Sequence, residues 1–470
     1  MTTTATPSLE VRSPFDDRSL ARLPMQDEAE LETMLVRARA LHDDRDAWLS
    51  PSVRKGILLR AATAVEAGLE DLAQLAASEG GKPITDSRAE LLRAVDGIRW
   101  AAEEIARLTG EPVPMGLNAA SEGHLAYTFR EPVGVVAAVS AFNHPFNLIV
   151  HQVVTAVAAG CPVIVKPAST TPLSALALVD ILAEAGLPAG WAQTLISDNA
   201  VAEKLVTDPR IAFFSFIGSG RVGWYLRSKL APGVGCALEH GGAAPVLVEP
   251  DADIEDALPL IVKGGFYHAG QVCVSVQRLF VHQDVLQPVL DGLVSAAREL
   301  RVGDPLDPTT DVGPLILDRE VVRVDSWVQR AAAAGGQILC GGERVGQHGY
   351  APTVVLDPPD EVELSRLEVF GPVVVVYPYT DRDVAIRRAN QLDFCFQAAV
   401  FTRNLDTALE CARRLNANAV MVNQHSAFRV DWMPFGGRSS SGMRLGGIGH
   451  TMRDLSAERM VVIRSKAVWP

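Results

Sequence analysis

The sequence predicts an α/β protein built on parallel sheets. Short apolar runs bounded by turn residues alternate with longer amphipathic segments along most of its 470 residues. Residues 134–139, 162–167 and 211–217 are almost continuously apolar, which is typical of strands buried on both faces of a parallel sheet. The chain is too long for one ordinary hydrophobic core, so we expect two or three domains.

The first hundred residues are predicted to be mainly helical. Apolar residues recur at helical spacing over 27–49, 52–78 and 86–107, where Ala, Leu, Glu and Arg dominate. The stretch 79–83 contains two glycines and a proline, and is a stop signal between the last two helices. Residues 123–130 alternate in polarity, which predicts a strand with one exposed face.

Strands and helices continue to alternate through the rest of the sequence. This alternation implies parallel sheets with ligand sites beyond the carboxyl ends of the strands. A glycine-dense loop over 435–449 and a strand-like segment over 460–464 follow. Further strands are predicted at 236–238, 246–248, 279–282, 373–377, 398–402 and 419–423, and further helices at 149–160, 173–185, 222–230, 285–300, 319–334 and 382–390.

Composition and charge argue against several classes of protein. The formal net charge of −13 disfavours a nucleic-acid partner, because phosphate binding needs a basic surface. No uninterrupted apolar stretch of about 18 residues occurs, so no membrane span is predicted. The six cysteines are scattered singly, without the spacing of a metal site or a disulfide framework, which favours the reducing cytoplasm. No signal peptide is expected, because no basic segment precedes an apolar run near the first residue.

A stretch of small residues ends in a cysteine, Cys273. Residues 264–273 open with two glycines, and Gly270 lies three residues before the thiol, so the backbone there can approach a ligand closely. A thiol beside open backbone amides suits covalent catalysis on a carbonyl group. The alternative is a buried apolar cysteine, which is the commoner situation for a single cysteine.

A glycine motif predicts a nucleotide site. Residues 218–223 match G-x-G-x-x-G between a predicted strand and a predicted helix, and Glu239 follows 21 residues after Gly218. Spacing alone places Glu239 on a ribose hydroxyl, although a carboxylate at a strand end can equally act as a general base. Lys166 and Ser169 follow another strand and are of the types that hold ribose or phosphate oxygens. The alternative for the glycine motif is a tight turn without a ligand.

Asn143 follows the first buried strand, within the sequence Ser-Ala-Phe-Asn-His-Pro-Phe over 140–146. A side-chain amide in that place can donate a hydrogen bond to an oxyanion. Taken by itself, an asparagine shortly before a proline is more often simply part of a turn. The residue is therefore a candidate whose interpretation depends on its neighbours.

Seven stretches, in the expected order along the chain, resemble the aldehyde dehydrogenase superfamily. The resemblance spans nearly the whole sequence, and seven collinear stretches are far more specific than any one of them. It implies a Rossmann-like cofactor domain, an α/β catalytic domain and a small β extension for oligomerisation. The stretches are EPVGVVAAVSAFNHPF (131–146), VIVKPASTTP (163–172), FSFIGS (214–219), LEHGGAAPV (238–246), GQVC (270–273), EVFGPVV (368–374) and PFGGRSSSG (434–442).

The resemblance assigns catalytic roles residue by residue. Cys273 matches the nucleophile that forms a thiohemiacetal and then a thioester with the aldehyde. Asn143 matches the amide of the oxyanion hole, together with the backbone N–H of Cys273. Glu239 matches the general base that activates water. This role replaces the ribose contact that spacing alone suggested for Glu239.

The resemblance also assigns a cofactor site for NADP or NAD. Many relatives that prefer NAD carry a glutamate where this chain has Ser169, and a carboxylate there repels a 2′-phosphate. We therefore expect NADP to be accepted. The matching residues are Lys166 and Ser169 for the adenosine ribose, Gly218 and Ser219 for the pyrophosphate, and Glu368 and Phe370 for the ribose and ring on the nicotinamide side.

A substrate tunnel in front of the thiol is implied as well. Two histidines and an arginine make it more polar than a pocket for aliphatic aldehydes, so we expect a short polar or anionic aldehyde: a semialdehyde, or a phosphono-, phospho- or sulfo-aldehyde. The alternative is that Arg429 faces solvent or pairs with Asp431 and that the histidines only pack. The tunnel residues are His144, Leu148, His151, Tyr267, Val272, Val274, Phe428 and Arg429.

The implied reaction is oxidation of an aldehyde to a carboxylate with water as second substrate and without a metal. Two alternatives are a CoA-acylating dehydrogenase of the same superfamily, which tends to lack the base, and a catalytically inactive structural relative. Exposed sheet edges in the extension imply a homodimer or homotetramer. The implied domains are 1–116 with 132–241 for NAD(P) binding, 242–447 for catalysis, and 117–131 with 448–470 for oligomerisation.

Overall fold

Two open, mainly parallel sheets form the body of the protein. The computed structural model describes residues 7–467, so the outermost positions of the predicted N-terminal domain and C-terminal extension lie outside the described residues. The strands are β1 (Ser8–Arg12), β2 (Ser19–Pro24), β3 (Pro112–Val113), β4 (His124–Pro132), β5 (Val135–Val139), β6 (Val163–Lys166), β7 (Ala192–Thr194), β8 (Ile211–Ile217), β9 (Gly235–Glu239), β10 (Ala244–Val248), β11 (Val276–His282), β12 (Gln337–Cys340), β13 (Arg344–Val345), β14 (Gly349–Tyr350), β15 (Thr353–Leu356), β16 (Val373–Tyr379), β17 (Phe394–Cys395), β18 (Gln397–Phe401), β19 (Ala419–Val422), β20 (Arg438–Ser439), β21 (Gly442–Met443) and β22 (Ser456–Arg464).

The pairing of these strands confirms the predicted α/β fold. One sheet has six strands in the order β21-β9-β8-β5-β6-β7, and strands β5 to β9 all pair in parallel. The other has seven strands in the order β12-β15-β16-β11-β10-β18-β19. Each has one antiparallel edge strand, β21 or β12. A separate antiparallel sheet joins β22 to β4 along the whole length of β22, with β3 on the far side of β4.

The six-stranded sheet is buried on both faces by helices. Val136 and Ala138 of β5 pack into one apolar cluster, and Val135 and Ala137 pack into another on the opposite face, as side chains of a strand alternate. A third cluster surrounds the seven-stranded sheet. The helices are α1 (Glu28–Asp43), α2 (Pro51–Ala67), α3 (Leu69–Gly80), α4 (Ile84–Glu104), α5 (Asn147–Ile149), α6 (Thr155–Ala159), α7 (Leu173–Glu184), α8 (Asn199–Thr207), α9 (Gly220–Arg227), α10 (Ile254–Phe266), α11 (Leu286–Glu299), α12 (Asp318–Ala333), α13 (Glu363–Arg366), α14 (Arg382–Ala389), α15 (Leu405–Arg414) and α16 (Ile448–Asp454).

Two buried glutamates hold the connections that follow β5 and β6. Glu79 accepts hydrogen bonds from the first two backbone N–H groups of α7, at 2.7 and 2.8 Å. Glu90 accepts from the backbone N–H groups at the start of α5, at 3.0 and 2.9 Å, and also pairs with the buried Lys82. Carboxylates are favourable at helix N-termini. They therefore help to fix the loops that carry Asn143 and Ser169.

The structure differs from the sequence-based prediction where local pattern is a weak guide. Residues 52–78 form two helices, because the first ends at Gly68 and the second starts at the next residue. The first predicted helix, 27–49, ends at Asp43. The predicted loop 435–449 contains β20, β21 and the start of α16. Elements that the sequence did not predict include β1, β2, β12, α8, α10 and α15.

Neither a membrane helix nor a metal cluster is found in the described chain. Between residues 7 and 467, no helix is both long enough and apolar enough to cross a membrane. Over the same residues, no three side chains of His, Cys, Asp or Glu come together as ligands for a metal ion.

Candidate active site

A cavity of about 990 Å³ lies at the carboxyl ends of β5, β8 and β9. Because these strands are parallel, the residues that end or follow them meet at one edge of the sheet. The segment 271–274, after α10, forms part of the same wall. The predicted site residues that line the cavity are Asn143, His144, Leu148, Gly218, Ser219, Glu239, Tyr267, Val272, Cys273, Val274, Glu368, Phe370 and Arg429.

The remaining predicted residues lie away from this wall. Lys166 and Ser169 lie on either side of Ala168, which lines the cavity, and the Lys166 ammonium donates to the Ser169 hydroxyl at 3.2 Å. His151 is buried behind the wall, where it binds Asp431 at 2.7 Å. Phe428 is partly exposed on the surface. The structure therefore does not bring His151 or Phe428 to the cavity, since His151 is bonded to Asp431 and Phe428 is exposed on the surface.

A strained turn presents Cys273. His268, Ala269 and Gly270 have consecutive φ values of 49°, 53° and 67°, a left-handed conformation that costs energy for residues other than glycine. The Gln271 side chain spans the turn, because its amide nitrogen donates to the carbonyls of His268 and Pro314, at 3.3 and 3.2 Å. The turn is thus fixed by hydrogen bonds on its inner side.

The Asn143 amide reaches the same turn. Its Nδ2 donates to the Gln271 carbonyl at 2.9 Å, and the residue is only 5% exposed. The second N–H of this amide group stays available for a ligand, since an amide nitrogen carries two hydrogens. This hydrogen bond therefore ties Asn143 to the backbone two residues before Cys273.

Burial controls the protonation of the thiol. Cys273 is partly accessible, whereas the other five cysteines are buried. Burial raises the pKa of the Cys273 thiol to about 12, and the positive charge of Arg429 opposes this rise. Glu239 ends β9, and burial also raises the pKa of its carboxyl group, again opposed by Arg429. Both groups therefore favour their protonated forms unless a bound ligand changes the local charge.

A cluster around Asp431 supports the other end of the cavity. Arg93 donates two hydrogen bonds to the buried Asp431 carboxylate, at 3.1 and 2.8 Å, and Asn147 donates a third at 3.0 Å. Burial by itself raises the pKa of Asp431, but His151 and the two arginines, Arg93 and Arg429, hold it well below its usual range. We call these five residues the Asp431 cluster.

Within the Asp431 cluster, Arg429 lines the cavity and packs closely against Phe435 and His151. Its guanidinium carbon lies 3.6 Å from the centre of the Phe435 ring, and its Nη2 lies 3.2 Å from His151 Nε2. Burial lowers the pKa of His151 to about 4, so the imidazole is neutral. The Arg429 Nε is buried without a hydrogen-bond partner in the described chain and is 3.9 Å from Asp431. Of the two alternatives for Arg429, exposure to solvent is not found, whereas proximity to Asp431 within ion-pair distance is.

Several residues that line the cavity were not singled out from the sequence. Arg93 comes from α4 and meets Asp431 across 338 positions of sequence, so no local motif marks it. Its only sequence signal is an arginine on the apolar side of a predicted helix. Four more line the cavity from α9 and α12, on the side of Gly218 and Ser219: Arg221, Glu320, Arg323 and Trp327.

The residues on this side fit a dinucleotide. β8 leads through Gly218 and Ser219 into α9, whose first backbone N–H groups are free to bind phosphate. A side chain at position 218 would come within 2.8 Å of the Phe216 ring, so the close backbone approach requires glycine. Glu368 is positioned by the backbone N–H of Gly242 at 3.2 Å, and burial raises the pKa of its carboxyl group to about 8.

The comparisons with known proteins agree with this arrangement. The sequence model described as "Aldehyde dehydrogenase family" matches residues 1–461. The chain belongs to the aldehyde dehydrogenase family. The earlier resemblance, drawn from seven short stretches, is therefore confirmed over nearly the entire chain.

Curated relatives of this aldehyde dehydrogenase differ in the substrates they are named for. The 3-sulfolactaldehyde dehydrogenase of Priestia aryabhattai is 37% identical over 461 residues, covering 98% of this chain and 96% of the relative. A betaine aldehyde dehydrogenase of Cereibacter sphaeroides (strain ATCC 17029 / ATH 2.4.9) is 35% identical over 459 residues, with 96% and 92% coverage.

Solved structures show the same fold. Aldehyde dehydrogenase 21 from Physcomitrella patens, in complex with the reaction product succinate, superposes with a TM-score of 0.95 at 33% identity, covering 99% of this chain and 96% of that chain. Glyceraldehyde-3-phosphate dehydrogenase GapN from Methanocaldococcus jannaschii, complexed with NADP, gives 0.92 at 31% identity, with 97% and 99% coverage. Together with the family match, they show that the protein is an NAD(P)-dependent aldehyde dehydrogenase.

The raised pKa of Cys273 predicts how its alkylation depends on pH. Only the thiolate reacts, so the rate of alkylation by iodoacetamide should rise about tenfold per pH unit between pH 7 and 9, well below a pKa of about 12. Mass spectrometry of the modified peptides measures this rate. Arg429→Leu should slow the reaction at each pH because it removes the opposing charge, and buried Cys161 is the unreactive control. A rate that is already constant by pH 8 would contradict the assignment.

Proposed function

We propose that this aldehyde dehydrogenase oxidises a short aldehyde that carries an anionic group. The observation that carries the proposal is the positive charge of Arg429, which lines the cavity and whose Nε lies 3.9 Å from Asp431, beyond hydrogen-bonding distance. Arg93 lines the same cavity but is already paired with Asp431. With His151 neutral, the Asp431 cluster has one more positive than negative charge. A buried unbalanced cation is costly, so an anionic ligand is favoured there.

Named relatives support an acidic substrate without deciding it. The curated relatives include 3-sulfolactaldehyde and aspartate-semialdehyde dehydrogenases, and aldehyde dehydrogenase 21 was solved with succinate. All of these molecules carry an acidic group besides the reacting carbon. Betaine aldehyde dehydrogenases of similar identity are named for a cationic substrate. The charge of the residues that line the cavity is therefore a better guide to the substrate than overall sequence identity.

Cys273 and Asn143 perform the first chemical step in this proposal. The Cys273 sulfur attacks the aldehyde carbon as a thiolate and forms a thiohemiacetal. The free N–H of the Asn143 amide and the Cys273 backbone N–H then hold the developing oxyanion. One such donor is worth about 3 kcal/mol in comparable sites. When NAD(P) is bound, its nicotinamide would accept the hydride that leaves the thiohemiacetal carbon as that intermediate becomes a thioester.

Glu239 is proposed to complete the reaction by activating water. Its carboxylate lines the same cavity and forms no hydrogen bond to another residue within 7–467, which leaves it free to accept a proton. Water deprotonated by Glu239 attacks the thioester and releases the carboxylate product. A carboxylate in this place favours water over coenzyme A as the group that resolves the thioester, and its presence argues against an inactive relative.

Replacing Arg429 tests the proposed function. Arg429→Leu should lower kcat/KM for an anionic aldehyde such as 3-sulfopropanal by at least about 30-fold, because a buried ion pair with the substrate is lost. The loss for propanal should be far smaller. Steady-state assays without coenzyme A measure both, and continued turnover in them requires water to resolve the thioester.

The matched control for this variant is Arg99→Leu. Arg99 is exposed on α4, where it pairs with Glu66, so the same change in charge occurs away from the cavity. Equal losses for both aldehydes in Arg429→Leu would contradict the anionic substrate. Wild-type enzyme that stops after one equivalent until coenzyme A is added would contradict hydrolysis.

We also propose that NADP is used at least as well as NAD. Ser169 is exposed beside Lys166, so no carboxylate repels a 2′-phosphate there. Ser169→Glu should shift the ratio of kcat/KM toward NAD by at least about tenfold. Ser295→Glu, which adds the same charge at an exposed position of α11, is the control. A kcat/KM of the wild-type enzyme that is tenfold higher with NAD than with NADP would refute this proposal.

The domain division and the assembly are proposed from the sheets. The six-stranded sheet lies mainly within 132–241, the seven-stranded sheet within 242–447, and β4 and β22 in the extension. Leu125, Met460 and Val462 of the extension are apolar and about half exposed, and β22 is an edge strand. We propose that another copy of the chain covers them.

Light scattering after size-exclusion chromatography tests this assembly. We expect a mass two or four times that of one chain. Met460→Glu and Val462→Lys together should reduce it, because buried charges destabilise an apolar interface. Leu405→Lys, at an exposed position of α15, is the control for a charge added to another apolar site. A wild-type mass equal to one chain would contradict the proposal.

A further inference from the structure

We propose that His144 and Tyr267 form a subsite for a hydroxyl group on the carbon next to the aldehyde of the substrate. This inference rests on the proposed function, since it concerns the same cavity and the same substrate. The His144 Nε2 lies 3.0 Å from the Tyr267 hydroxyl, and both side chains line the cavity that contains Cys273. Neither side chain has a part in the chemical steps described above.

The pair belongs to the same two segments as the residues proposed to act on the aldehyde carbon. His144 directly follows Asn143, and consecutive α-carbons are only about 3.8 Å apart. Asn143 in turn donates to the carbonyl of Gln271, two residues before the nucleophile. A substituent on the first carbon beyond the aldehyde is therefore the part of a substrate that this stretch of wall meets.

Both members of the pair are neutral. Burial lowers the pKa of His144 well below its usual range, and the nearby positive charges of Lys82 and Arg93 add to this effect. Burial raises the pKa of Tyr267 well above its usual range. The subsite therefore offers hydrogen bonds without charge, unlike the arginines.

The hydrogen-bonding capacity of the pair matches a hydroxyl group. A neutral imidazole has one donor and one acceptor, and a tyrosine hydroxyl also both donates and accepts. One donor and one acceptor are used between the two rings. Whichever tautomer His144 adopts, one donor and one acceptor remain. An alcohol both donates and accepts, so it can pair with whichever of these two sites faces it, whereas a sulfonate or carboxylate only accepts and can pair with the donor alone.

The described residues provide no other partner for this donor and acceptor. The His144 Nδ1 and the Tyr267 hydroxyl form no further hydrogen bond within residues 7–467. The Lys263 ammonium lies 4.8 Å from the centre of the Tyr267 ring and is bonded to Asp86. The His268 ring centre is 6.4 Å from those of both rings. A substrate that displaces water here without replacing its hydrogen bonds loses affinity.

Two matched pairs of aldehydes test the inference. The first pair is lactaldehyde and propanal, and the second is 3-sulfolactaldehyde and 3-sulfopropanal. The members of each pair differ only in the hydroxyl group. With kcat/KM referred to the unhydrated aldehyde, we expect the hydroxylated member to be favoured at least about tenfold in both pairs, because sites that bind a substrate hydroxyl discriminate against its absence.

Variants link this preference to the two residues. Tyr267→Phe and His144→Leu should each reduce the ratio within both pairs to below about threefold. His144→Gln keeps one donor and one acceptor and should retain part of the preference. Tyr127→Phe, on the exposed face of β4, is the control that should keep the wild-type ratio.

The outcomes separate this inference from the proposed function. A wild-type ratio near one in both pairs, or a full ratio retained in both Tyr267→Phe and His144→Leu, overturns the hydroxyl subsite. The wild-type ratio decides the question even if a variant fails to fold. Failure of the proposed function appears differently, as sulfonated aldehydes that are no better than neutral ones, while the lactaldehyde–propanal ratio still reports on the hydroxyl.

Discussion

Parallel pairing of β5, β6, β8 and β9 is the constraint on which the chemistry of this protein depends. It brings four strand ends, far apart in sequence, to one edge of a sheet that is buried on both faces. The residues that end or follow these strands include those proposed as the oxyanion amide, the ribose contacts, the phosphate turn and the base. Buried carboxylates on α3 and α4 then hold two of these loops, so the position of the catalytic groups is tied to the packing of the core.

Burial of the cavity disfavours the charged forms of its ionisable groups. The pKa values of Cys273, Glu239 and Glu368 are all raised, mainly because the charged forms lose solvation. Arg429 is the cation that opposes this effect at both Cys273 and Glu239. In the proposed function the same guanidinium binds the anionic substrate. Binding and activation are therefore coupled through one charge, which the Asp431 cluster holds in place.

Much of the fold and of the candidate site was predictable, for identifiable reasons. Buried parallel strands such as 134–139 and 211–217 are apolar runs between turn residues, and β5 and β8 lie where those runs predicted. The single helix predicted over 52–78 was wrong, because apolar spacing continues across the break at Gly68. The tunnel residues could be predicted only by resemblance, and for His151 this failed, since its ring turns toward a carboxylate 280 positions away.

The sequence by itself determined the fold class, the family and the identity of the nucleophile, amide and base as candidates, because each lies in a local motif with a fixed relation to a strand or turn. Only the tertiary structure decided what faces the thiol. Arg93, Asp431 and His151 meet through side chains distant in sequence, and the pairing of His144 with Tyr267 joins two separate loops. Hydrogen bonds and ion pairs join side chains that are distant in sequence, so the set of residues that lines the cavity is fixed only by the folded structure.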